Sequence, residues 1–186
     1  MMKSPSLLQI DSDPLYLDTS VVINLVASGR IVEIARAISR PLMVEERVMR
    51  EVKRDPRDGV DGLLLMRRLT GEGVLKLAAM NDTQLERFVN LVGAPSPDDL
   101  GDGEAATLAI AMPSGCVAID EKKARRIAAR DHVALRLYCS LDIFCCGSVS
   151  DALGDRFVAD CVASALAVGR MRVPLIWRDY VRAITS

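Results

Sequence analysis

A chain of 186 residues, half of them hydrophobic and 26% charged, can bury a real core and is too apolar for a disordered segment, so it reads as one globular domain with or without a modest C-terminal extension. No run of about 18 apolar residues lacks charges, and the opening MMKSPSLLQIDSDP has no long apolar stretch behind its lysine, so a membrane span and a secretory leader are both excluded as expectations and a cytoplasmic protein is expected. A net charge of -1 is not that of a nucleic-acid binder by bulk electrostatics, and five cysteines without framework spacing, with the single histidine His132 and no CxxC, leave reduced core thiols and little for a structural zinc site.

Short apolar runs alternate with helical patterns along the chain. Strands are predicted near 15 to 18, 41 to 44, 74 to 79, 115 to 119 and 133 to 139. Between them lie helical stretches VVINLVASGRIVEIARAI, EERVMREVKR, GVDGLLLMRRL, DTQLERFVNLV, GEAATLAIAM and EKKARRIAAR. Repeated helical crossovers between apolar strands predict a parallel sheet covered on both faces, an α/β fold. The breaker-rich loop GAPSPDDLGDG, residues 93 to 103, leads into the helix that carries Glu104 and is expected at the mouth of a crevice. After about Gly147 the alternation stops. Two helical stretches follow, FVADCVASALAVG and LIWRDYVRAI, so residues 1 to 146 are taken as the main domain and 147 to 186 as a helical extension packed on it or on a partner.

Four separate acids, Asp18, Glu51, Glu104 and Asp120, fall where elements start or end. Asp18 closes the apolar run LYL, with Thr19 or Ser20 expected to cap the following helix, and Asp120 closes CVAI in the same way. Ligands in open parallel sheets bind outside the carboxyl ends of the strands, so both aspartates are expected to face one crevice. Glu104 stands in the first turn of a helix, where an acid is favoured by the dipole alone, with Asp102 as that helix's N-cap and a thin alanine face able to approach the sheet. Glu51 lies at the edge of an apolar helical stripe. Two carboxylates about 4 Å apart repel by roughly 4 kcal/mol at an effective dielectric of 20, so four in one crevice call for a cation. Oxygen donors without histidine or cysteine select Mg²⁺ or Mn²⁺, and such an ion, with its bound water, points to phosphodiester hydrolysis.

The stretches LDTSVVINL, ERVMREV, GDGEAATLAIA and AIDEKKARRIA, in this order, resemble the four motifs of PIN-domain ribonucleases, including the VapC-like toxins of toxin-antitoxin pairs, over roughly residues 13 to 145. The resemblance implies a three-layer α/β/α sandwich around a parallel sheet of about five strands, and makes Asp18, Glu51, Glu104 and Asp120 the catalytic metal-binding quartet. It implies a hydroxyl from Thr19 or Ser20 near the metal or the phosphate, an RNA substrate and a small antitoxin partner. Glu45 and Glu46 lie close enough to Glu51 to compete with it as the second acid. Ser140 and Asp142, after the fifth strand, can also reach the crevice, Asp142 equally as a helix cap.

Other readings are weaker. A haloacid-dehalogenase-like phosphatase needs a second Asp at the position held by Ser20, and a receiver module needs paired early acids and a late lysine. A non-catalytic PIN-like module that binds nucleic acid or protein is the alternative. Lys122, Lys123, Arg125, Arg126 and Arg130, with Arg47, Arg50, Lys53, Arg54 and Arg57, surround the acids, equally as a substrate-facing set or as solvated helix faces. Asn24 has no assigned role. Trp177 and Tyr180 are expected to pack rather than to stack on bases, and the extension, with Arg170, Arg172, Arg178 and Arg182, suits a homo-oligomer or antitoxin contact.

Overall fold

The computed structural model describes residues 4–8, 12–38 and 40–185. Five strands, β1 (Leu15–Leu17), β2 (Leu42–Glu45), β3 (Lys76–Ala78), β4 (Cys116–Ala118) and β5 (Arg136–Tyr138), form one sheet in the order β3-β2-β1-β4-β5. Every pairing is parallel, with Leu15 opposite both Leu42 and Cys116. The helices are α1 (Thr19–Ala27), α2 (Ile31–Ile38), α3 (Glu46–Glu51), α4 (Gly62–Gly71), α5 (Asp82–Val92), α6 (Asp102–Ala111), α7 (Lys122–Asp131), α8 (Ser140–Phe144), α9 (Gly147–Leu153), α10 (Asp155–Ala167) and α11 (Arg178–Thr185). No helix among the described residues is long and apolar enough to cross a membrane.

The period-2 alternation of a strand divides the core in two. Leu15, Leu17, Leu42, Val44, Cys116, Ala118 and Tyr138 face a large cluster shared with α1, α2 and the helices from α8 onward. Tyr16, Val117, Ile119 and Leu137 face a second cluster built with α5, α6 and α7. This is the expected three-layer α/β/α arrangement. Helix α6 lies closest to the sheet because Ala105, Ala106, Ala109 and Ala111 present no bulk, and all are buried.

Local departures from the sequence reading have local causes. The first helical stretch is broken at Gly29, whose φ of +70° gives the left-handed stop that separates α1 from α2. The second is shorter, because Glu45 is still in β2 and caps α3 by accepting from the Arg47 N–H at 2.6 Å. The fifth strand contracts to three residues, and the short helices α8 and α9 follow where no element was expected. Asp102 does not cap α6; Gly101 holds the N-cap position with no side-chain bond.

Beyond Gly147, α10 packs on α1 and α9 on α2, and Val149, Val158, Cys161, Val162, Ala165 and Trp177 belong to the same cluster as β1. Trp177 is 0% exposed and meets Tyr180 edge to face at 5.8 Å, so its ring is a core element and not a partner-facing anchor. All five cysteines are free and buried.

Candidate active site

The chain leaves β1 for one flank of the sheet and returns as β4 on the other, so the crevice at the carboxyl ends of β1 and β4 is the topological switch point of the sheet. Asp18 is the first residue after β1, its N–H tied to the Ala118 carbonyl of the neighbouring strand at 3.0 Å. It is itself the N-cap of α1, a role expected of Thr19 or Ser20. Its Oδ2 accepts from the Ser20 N–H at 3.3 Å and the Ser20 hydroxyl at 2.6 Å. Its Oδ1 is buried with no hydrogen-bond partner. Burial above all, with the nearby Glu104 charge, pushes the Asp18 carboxyl up to about 7 against the pull of the Ser20 bonds.

Glu51, at the last turn of α3, is fixed by two partners. Its Oε1 accepts from the Gly103 N–H at 2.8 Å and its Oε2 from the Thr19 hydroxyl at 2.5 Å. Thr19 thereby joins the first acid's helix to the second acid. A Cβ on Gly103 would stand 2.3 Å from Glu51 Oε2, so the close approach needs glycine. Of the three glutamates that compete as the second acid, Glu45 is committed to the cap of α3 and to an ion pair with Arg47 at 2.7 Å, and Glu46 to exposed Arg50 at 2.6 Å. Only Glu51 among them bonds residues at the crevice.

Asp120, two residues beyond β4, accepts from the Ser140 N–H at 2.9 Å and the Ser140 hydroxyl at 2.5 Å at the start of α8. Asn24 of α1 completes the cradle, donating to Asp120 Oδ2 at 2.8 Å and to the Ser140 hydroxyl at 3.1 Å. Burial raises the Asp120 carboxyl, opposed chiefly by these bonds. Asn24 had no assigned role in the sequence; its signal would have been a buried amide on the otherwise apolar face of α1. Asp142 lies elsewhere. It accepts from the Cys139 N–H at 2.9 Å and the Leu7 N–H at 3.0 Å, which makes it the cap of α8 and removes it from the crevice set.

Glu104, half-buried in the first turn of α6, is raised by burial and by the charges of Glu51 and Glu121, with Lys123 opposing. Asp18 feels the Glu104 charge and Glu104 that of Glu51, so these three acids lie within one field. Among the described residues no three histidine, cysteine or acidic side chains close into a metal cage. The acids stand on separate elements, and the buried Oδ1 of Asp18 has no partner. An oxygen-only donor set of this openness fits a hard cation that keeps most of its waters. The N-termini of α1, α6 and α7 also face this end of the sheet and favour negative charge there.

The surrounding cations are largely committed. Arg125 donates to the Ile119 carbonyl at 3.0 Å, Arg126 and Arg130 pair with Asp98, and Lys123 with Asp99. Arg57 pairs with Asp55, and Arg47 lies 4.1 Å over the Phe88 ring. These pairs tie the loop of residues 93 to 103 to α7, so that loop frames the crevice. Of the two readings of these basic residues, the paired ones are engaged in ion pairs on the helix faces.

An α/β/α sheet that carries acids at the carboxyl ends of β1 and β4 accommodates a nuclease-type site. The chain belongs to the PIN-domain family: the family model described as a PIN domain matches residues 15–136. Neither the curated proteins nor the solved structures give a match to the chain.

Proposed function

We propose that this PIN domain is a metal-dependent endoribonuclease, with Asp18, Glu51, Glu104 and Asp120 as its acidic site and Mg²⁺ or Mn²⁺ as its ion, acting as the toxin of a toxin-antitoxin pair. The observation that carries the reading is the buried, unpaired Oδ1 of Asp18, on a carboxyl that feels the Glu104 charge and is raised to about 7, which a cation would relieve. A bound Mg²⁺ or Mn²⁺ would supply charge to phosphoryl oxygens and make a bound water more acidic. Asp18 and Glu104 would face that ion directly. Thr19 and Gly103 hold Glu51, and Ser140 and Asn24 hold Asp120, so that neither carboxylate must be reoriented when substrate arrives. Ser20 fixes the Asp18 carboxyl through Oδ2, while the buried Oδ1 has no partner.

A ribonuclease of this type should cut single-stranded RNA, lose the activity to a chelator and regain it with Mg²⁺ or Mn²⁺ but not with zinc alone. Cleavage that persists in excess chelator would overturn the carboxylate-metal reading. The toxin role has its own test: expression of the chain should arrest growth, and a small protein encoded beside it should relieve the arrest and co-purify with it. The homo-oligomer expected from the C-terminal helices is tested by light scattering of the purified chain.

A further inference from the structure

We propose that Arg170 and Arg172, on the turn after α10, are substrate-phosphate-binding residues of the nuclease site. The proposal rests on the nuclease reading above and adds the C-terminal helices to the substrate groove. A cavity of about 180 Å³ opens beside the acids, with Ser20, Asn24, Asp120 and Glu121 in its lining together with Gly169, Arg170 and Arg172. A water occupies about 30 Å³ in the liquid, so this space takes a phosphodiester group with some of its hydration rather than a whole nucleotide.

The turn is built to hold these side chains. Arg170 has φ of +57°, a left-handed conformation in which arginine is disfavoured and glycine is at ease. It is held there from both sides: a Cβ on Gly169 would stand 2.7 Å from Asn24 Oδ1, and Met171 is buried with its N–H bonded to the Ala165 carbonyl at 3.1 Å. Strain of this kind, maintained by its surroundings, concentrates at functional positions. In contrast to the arginines of α3 and α7, neither Arg170 nor Arg172 is ion-paired among the described residues, and both are exposed. The adjacent carboxylate of Asp120 is held by Ser140 and Asn24 and forms no ion pair with either arginine, which leaves the two guanidinium groups for an anionic ligand entering the cavity. A phosphate of a single strand running past the acids has the charge and the fork-shaped geometry that arginine recognises.

The test uses the full-length chain and a fluorescein-labelled single-stranded RNA decamer, with binding read by anisotropy in chelator across a salt series and KM and kcat read with Mg²⁺ restored. Arg170→Gly relieves the left-handed backbone while deleting the guanidinium, so its thermal midpoint should not fall. Arg172→Gln deletes the second without touching the turn. Each should weaken binding or raise KM about tenfold and reduce the slope of log affinity against log salt by about 0.7; Arg172→Lys should restore part of the loss. Unchanged affinity, KM and salt slope in variants of an enzyme that cuts RNA would overturn this inference alone. A wild-type chain that neither binds nor cuts nucleic acid would overturn the nuclease reading and this inference with it.

Discussion

The Gly103 N–H donates to Glu51 Oε1 at 2.8 Å across 52 residues of sequence, and this bond closes the side of the crevice formed by α3 and α6. The first turn of α6 approaches the Glu51 carboxylate so nearly that no side chain fits between them. Its donor is one of the N–H groups that a helix start leaves unsatisfied, so the cap of α6 and the orientation of Glu51 are a single interaction.

Gly103→Ala tests that coupling. The obstructing atoms are the Glu51 carboxylate and the Thr19 hydroxyl, both side-chain atoms that can turn aside, so the fold survives and Glu51 swings away, costing about 1 to 3 kcal/mol for a charge-assisted bond. Cleavage should fall about a hundredfold from the misplaced carboxylate. Chemical denaturation beside a single-turnover assay separates the two. A variant with native turnover would mean that the orientation of Glu51 is immaterial.

Asp18 gives the metal-free protein a distinct pH dependence. Its carboxyl is raised from 3.8 to about 7, so between about pH 4 and 7 the folded chain retains a proton that the unfolded chain has released. Stability contributed by the neutral form is therefore fully present at low pH, declines through that window and is lost above it, by at most about 4 kcal/mol from this group. Burial raises Glu104 and Asp120 in the same direction. Thermal midpoints in chelator should be lower at about pH 8 than at about pH 5. Asp18→Asn should flatten the difference and abolish cleavage while remaining folded, and Mg²⁺ should stabilise the wild type most at the higher pH. A pH-independent midpoint in the wild type would show that Asp18 is not raised.

Asn24 is expected to set the metal requirement through Asp120. Asn24→Ala removes a donor from both Asp120 and Ser140, raises the Asp120 carboxyl further and lowers stability by about 1 to 3 kcal/mol. The concentration of Mg²⁺ needed for half-maximal cleavage should rise at neutral pH and recover as pH increases. An unaltered Mg²⁺ titration would reduce Asn24 to a packing residue.

Asp142 and Ser140, two residues apart on α8, should respond in opposite ways. Asp142→Ala deletes the acceptor for the Cys139 and Leu7 N–H groups and should cost about 2 to 3 kcal/mol while leaving kcat nearly intact. Ser140→Ala should lower kcat more than it lowers stability, because its hydroxyl meets Asp120. Comparable catalytic losses in both variants would return Asp142 to the site.

The sequence by itself determined the architecture, because alternating buried runs such as LYL, LMV and CVA with amphipathic helices between them admit little but a covered parallel sheet. It also placed Asp18 and Asp120 at the same edge of the sheet, since residues that end neighbouring parallel strands must emerge on one edge. Position along the chain could not separate Glu51 from Glu45 and Glu46, nor Ser140 from Asp142. In each case the choice depends on which side chain a distant backbone group meets: Gly103 for Glu51, and Leu7 and Cys139 for Asp142. For the same reason the sequence leaves Asn24 without a role and reads Arg170 only as part of an association surface. Asn24 meets Asp120 across 96 residues of sequence once α1 lies beside β4, and the left-handed turn at Arg170 is held once α10 has docked against α1.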